Sequence, residues 1–158
     1  MLLTLGCGKG APHARDSALH ADRHASAERA APAHTAVADT SGPASVIRRY
    51  YAAIDDRNYD AAYDLWGRSG AASAQTRSQF AAGFTRTAHV TVTIVDSVRV
   101  EGAAGSQYAT VPVTVDAELE SGERQHFAGS YTLRRVMVDG APADARRWHI
   151  ESAQLHQT

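Results

Sequence analysis

The chain holds a single cysteine, Cys7, so an intramolecular disulfide is excluded. A nucleophilic cysteine needs a positioned base and a folded pocket, and Cys7 stands at the end of a short apolar run instead. Charge of one sign is also missing, with 16 basic residues against 17 acidic ones and a net charge of −1. Lys9 is the only lysine, and the arginines are scattered among acids, Arg48 and Arg49 near Asp55 and Asp56, Arg124 near Glu120 and Glu123. There is no basic stripe, so no attraction to nucleic acid or to an anionic membrane surface is expected. No apolar run reaches the roughly 18 residues of a spanning helix. A glycine-rich phosphate loop, a nucleophile elbow and a clustered metal-ligand set are all missing beyond residue 42. No cofactor is expected.

The N-terminal end reads as an address. Met1-Leu2-Leu3-Thr4-Leu5-Gly6-Cys7-Gly8 resembles the end of a bacterial lipoprotein signal peptide, in which a small residue precedes a cysteine that becomes diacylated. Thr4 replaces the usual leucine, the apolar run is short and the charged n-region is missing, as if the start lay too far downstream. The plainer alternative is a chance Gly-Cys. The resemblance implies residues 1–7 as a truncated signal with Cys7 as the lipidation site, and a chain anchored on the periplasmic side of a bacterial envelope. Two acyl chains suffice for that, at roughly 0.8 kcal/mol per buried methylene.

Residues 8–42 are rich in Ala, His, Ser and Pro, with only Leu19 and Val37 as larger aliphatics. Such a segment cannot bury enough apolar surface to offset the entropy of ordering it, and is read as a disordered tether. It carries His13, His20, His24 and His34. His20 and His24 have the spacing of a helical metal pair, but no third ligand stands at comparable spacing, and a solvated linker is the simpler account.

From residue 43 to 158 the patterns are those of one α+β domain. Ser41 or Gly42 can cap a helix whose first turn holds Pro43. Val46, Ile47, Tyr50, Tyr51, Ala53 and Ile54 then give it an apolar face. A second helix is expected over 59–66 and a third over 77–84, with Phe80 and Phe84 four apart. After residue 85 the period becomes two. Val90, Val92 and Ile94 share one face of the first run. Val111, Val113, Val115 and Leu119 share one face of a run over 108–119, in which Pro112 suggests an edge or a bulge. Phe127, Tyr131 and Leu133 share a face of a run over 124–137, and the last run covers 146–156. Turns are expected at 101–105, 121–122 and 139–140. About four long antiparallel strands, curved around two to three N-terminal helices, would bury every apolar face.

The helix Val46-Ile47-Arg48-Arg49-Tyr50-Tyr51-Ala52-Ala53-Ile54, the following Tyr59-Asp60-Ala61-Ala62-Tyr63-Asp64-Leu65-Trp66 and the late Trp148-His149-Ile150 resemble the nuclear transport factor 2-like superfamily. The resemblance spans about residues 43–156 and implies a cone, often with an open pocket. Its members include ketosteroid isomerases, polyketide cyclases of the SnoaL kind, dehydratases and non-catalytic domains, among them lipoproteins. No short hairpin is legible between the second and third helices.

An isomerase of this kind needs a pocket carboxylate as base. Asp96, Asp116, Glu118, Glu120, Glu123 and Asp139 fall in turns or on polar strand faces. No catalytic residue is assigned. Asp64 reads better as a helix cap or an arginine partner than as an acid, His89 and His126 as outer-face residues, and His149 with Glu151 as a solvated or hydrogen-bonded pair. Tyr50, Tyr51, Tyr63, Trp66, Phe127, Tyr131 and Trp148 are the candidates to line a ligand pocket, or to fill it. The expected function is a non-catalytic envelope lipoprotein domain that binds a small apolar ligand or a protein partner. The alternative is an isomerase, cyclase or dehydratase using an acid or histidine in the cone. Thr91, Thr93, Thr110, Thr114, Ser130 and Thr132 make the outer sheet face a candidate homodimer surface.

Overall fold

The computed structural model describes residues 41–158. Cys7, the tether and its histidines lie outside the described residues.

Helix α1 (Pro43–Asp55) starts at an extended Gly42 with Pro43 in its first turn, where a missing N–H costs nothing. Val46, Ile47, Tyr50, Tyr51 and Ile54 form its buried stripe. Helix α2 (Tyr59–Asp64) is capped by Asn58, whose Oδ1 accepts the Ala61 N–H at 3.2 Å. Six residues are too few to hold a helix unaided, so the burial of Ala62 and Tyr63 keeps α2 in place. It ends two residues before the expected Trp66. Leu65 and Gly67 hydrogen-bond the backbone of Ile150, and Trp66 enters a parallel bridge with that residue. Tertiary pairing here overrides helical periodicity. A single 3₁₀ turn, Ala71–Ser73, follows. Helix α3 (Arg77–Gly83) opens with a capping box between Thr76 and Gln79, and Phe84 caps it rather than continuing it.

Strands β1 (Thr87–Ile94), β2 (Arg99–Ala103), β3 (Ser106–Leu119), β4 (Arg124–Val136) and β5 (His149–Gln157) make one antiparallel sheet in the order β1-β3-β4-β5, with β2 also on β3. The four long strands are as expected. The short β2 corrects the expected turn at 101–105, which shrinks to Ala104-Gly105 between Ala103 and Ser106. Pro112 is a second correction, because its strand is central. It pairs with Ser130 on one side. On the other side it lies between the last β1 contact, Ile94 with Val113, and the first β2 contact, Arg99 with Thr110. The proline thus occupies the seam where one neighbour leaves the sheet and another joins.

Two irregularities curve the sheet. A register shift between Thr132 and Leu133 leaves Glu151 unopposed on β5. At Gly129 (φ 155°) a Cβ would stand 1.9 Å from the Gln154 carbonyl oxygen, so only glycine allows β5 this close. The sheet's inner face packs on α1, and Ile47, Leu133, Ile150, Val46, Val111 and Val113 are the largest fully buried side chains. Each contributes roughly 1.5–3 kcal/mol by leaving water. No helix among the described residues is long and apolar enough to cross a membrane.

Candidate functional site

Between α1, the start of β1 and the Phe127 end of β4 lies a cavity of about 310 Å³. Tyr50 and Tyr51 reach it from α1, Val90 from β1, Val115 and Ala117 from β3, Phe127 and Tyr131 from β4, and Leu155 from β5. Gly83, Phe84, Thr87 and Gln125 complete the lining, which contains no carboxylate.

The buried polar feature beside Thr87 and Gln125 is a tyrosine pair. The hydroxyls of Tyr51 and Tyr131 are 2.6 Å apart, and their side chains are almost wholly buried. One hydroxyl donates to the other, so one proton of the pair is uncommitted. Tyr50 packs edge-on against Tyr51 (centroids 5.0 Å apart) and Tyr131 (6.0 Å). Burial raises the pKa of Tyr50, Tyr51 and Tyr131 well above the ordinary phenol range. All three stay protonated at neutral pH, as hydrogen-bond donors and not as bases. Trp66 Nε1 is buried without an acceptor.

No family model matches the chain, and no curated relative is found by sequence. Two solved structures are similar in shape. One is described as a "putative aromatic ring hydroxylase" from Novosphingobium aromaticivorans, with TM-score 0.52 and 16% identity over 73% of this chain and 90% of that one. Another is a nuclear transport factor 2-like superfamily protein from Salmonella enterica serovar Typhimurium, with TM-score 0.48 and 14% identity over 72% of this chain and 86% of that one. With helices first and a curved antiparallel sheet behind them, the architecture is settled. The fold is an α+β cone, three helices covered by a curved antiparallel sheet. At these identities the likeness is one of fold.

The cone brings together four of the seven aromatic candidates, Tyr50, Tyr51, Phe127 and Tyr131. Tyr63 is committed to structure, its hydroxyl donating to the Gln75 carbonyl at 2.9 Å and its ring packed on Phe80 at 5.5 Å. Trp66 faces a neighbouring cleft with Tyr50, Phe80 and Phe84. Trp148 lies beside a different, polar groove of about 420 Å³ with Arg49, Asp64, Arg147 and His149.

The other polar candidates also stand outside the cone cavity. Asp64 pairs with Arg77 at 2.7 Å. His89 and His126 occupy the outer face, against Asp55 and Asp116 respectively. The strand register places Thr91, Thr93, Thr110, Thr114, Ser130 and Thr132 on that face too. His149 and Glu151 are not a pair. His149 contacts Asp144 and the Arg147 carbonyl, while Glu151 meets Arg68 at 3.3 Å. No sequence pattern announces that polar groove, because Arg49, residues 64–66, Ser69, Asp144 and residues 147–149 meet only in the fold.

Proposed function

We propose that the cone binds a small, largely apolar molecule carrying one hydrogen-bond acceptor, such as a carbonyl, without transforming it. The carrying observation is the Tyr51–Tyr131 hydroxyl pair in an apolar cavity that has no carboxylate. Rings of Tyr50, Tyr51, Phe127 and Tyr131 offer aromatic faces and edges to a planar ligand. The spare proton of the pair offers one donor to fix its orientation. A volume of about 310 Å³ suits a molecule at the small end of the ligand range. General base chemistry would need a carboxylate or histidine at the cavity, and the lining supplies neither. That favours binding over the isomerase, cyclase or dehydratase alternative.

The test is native mass spectrometry of the full chain purified gently from a bacterial host. A defined extra mass that is lost or weakened in Tyr131→Phe supports the reading. A chain at its bare mass that takes up no phenolic or ketone probe overturns it. Diacylation at Cys7 would hold this binding domain at a bacterial envelope. Labelled fatty acid should then enter the chain and not its Cys7→Ser variant.

A further inference from the structure

Building on the cone as a binding site, we propose that its cavity continues beneath α3 into the neighbouring cleft, so that the ligand is an elongated apolar carbonyl compound spanning both chambers. The chamber of about 310 Å³ at the Tyr51–Tyr131 pair and the cleft, also of about 310 Å³, have Tyr50, Gly83 and Phe84 in common. Alone, each stands at the lower end of the roughly 300–1,000 Å³ of small-molecule sites. In line, they stand well inside that range.

The second chamber is walled by rings, as the first is. Trp66, Phe80 and Phe84 close it with Tyr50, while Ser73 and Gln75 form its polar side. Among the described residues no carboxylate, arginine or histidine lines it. The rings hold one another in place. Tyr50 stands edge-on to Trp66 with centroids 6.1 Å apart, and Phe80 is tilted against Tyr50 at 6.2 Å. Phe84 stacks on Tyr59 at 6.1 Å and meets Phe80 edge-on at 5.1 Å. Its carbonyl accepts the Thr87 N–H at 3.0 Å. Phe84 is therefore a fixed wall that both chambers share.

Gly83 keeps the junction clear. It is the last residue of α3, its φ is not positive, and a Cβ there would meet nothing within 4 Å. Neither backbone conformation nor close packing requires a glycine at this position, and helices disfavour one. What the missing side chain leaves is open space on the border of the two chambers. A carbonyl group held at the Tyr51 and Tyr131 hydroxyls then sends its alkyl chain past Gly83 towards the indole of Trp66.

The experiment is a calorimetric titration of the full chain with methyl ketones whose second alkyl group lengthens from propyl to nonyl. Affinity should rise about fourfold with each methylene buried, up to the longest member. The indole N–H resonances give the location, because Trp66 borders the second chamber and the other tryptophan, Trp148, lines neither. Methyl nonyl ketone should move the Trp66 resonance and leave that of Trp148 in place, and methyl propyl ketone should move neither. Gly83→Leu should weaken methyl nonyl ketone about tenfold or more, the worth of two methylenes at that rate. Urea unfolding should show no loss of stability in this variant, since leucine enters open space and favours helix. If it does not fold, the Trp66 resonance of the unsubstituted chain decides. Affinity that levels off at the short ketones, with Trp66 unmoved by the long one, would confine the ligand to the first chamber. That result overturns the extension and leaves the cone reading standing. Full affinity for methyl nonyl ketone in a folded Gly83→Leu chain also refutes the path past Gly83. Failure to bind any member of the series would overturn the cone reading and the extension with it.

Discussion

Removing the Tyr51–Tyr131 hydrogen bond one partner at a time should cost more than removing it whole. The two hydroxyls are 2.6 Å apart between side chains that are 5% and 2% exposed. Tyr51→Phe leaves the Tyr131 hydroxyl buried without its partner, and Tyr131→Phe does the reverse. Stranding a buried hydroxyl costs about 1–3 kcal/mol, whereas replacing both partners by rings of the same shape is nearly neutral. The double variant should therefore be more stable than the sum of the singles implies, by about 2–6 kcal/mol. Urea unfolding of the four proteins of the cycle measures this, provided the slopes agree. Ionisation gives a second check. Burial raises both phenol pKa values, so the contribution is fully present below the unfolded-chain value of about 10 and is lost only as pH rises beyond it. The coupling should stay constant between about pH 6 and 9. Additive single effects would refute the hydroxyl pair, and a coupling that titrated near neutrality would refute its protonation state.

Three further changes probe the scaffold. Gly70→Ala should cost about 3 kcal/mol or more in urea unfolding. Its φ is +90°, and its Cβ would fall 1.9 Å from the Tyr63 ring, which Gln75 and Phe80 hold in place. Thr76→Ala should cost about 0.5–2 kcal/mol by opening the α3 capping box, with Thr76→Ser largely restoring it. Asp144 has its pKa lowered chiefly by the Arg147 hydrogen bond, so what it contributes is present at neutral pH and lost as pH falls through that depressed value. Its exposure limits the effect to under about 1 kcal/mol. Asp144→Asn and the parent should thus differ slightly at pH 7 and converge in acid unfolding once the Asp144 carboxyl is protonated.

How much of this was legible in the sequence depended on whether a residue had a repeating pattern to belong to. α1 was readable because Val46, Ile47, Tyr50, Tyr51 and Ile54 recur at helical spacing, and all five are buried. β3 and β4 were readable from their alternating apolar residues. β2 was not, because all five of its residues are exposed, so there is no alternation to find, and its glycine reads as a turn. Periodicity also said which aromatics point inward but not how far along the cone each would lie. Hence Tyr50, Tyr51, Phe127 and Tyr131 converge while Tyr63 and Trp148 do not.

Whether the cone is open or filled by its own rings is the question the sequence left undecided, and Ala117 offers a direct answer. On β4 the positions facing α1 run Phe127, Gly129, Tyr131, Leu133, matched on β3 by Val115, Val113, Val111 and Ala109. At the Leu133 end these side chains are fully buried and close-packed. At the Phe127 end the small side chain of Ala117 borders the cavity of about 310 Å³. A larger residue at the two ends should therefore behave differently. Val111→Leu enters a filled core and should cost about 1–3 kcal/mol. Ala117→Leu enters free space, so it should change stability little and still remove binding of the cavity's ligand. Equal destabilisation by both substitutions would mean that no open cavity exists. Ligand uptake undiminished in Ala117→Leu would place the binding site elsewhere.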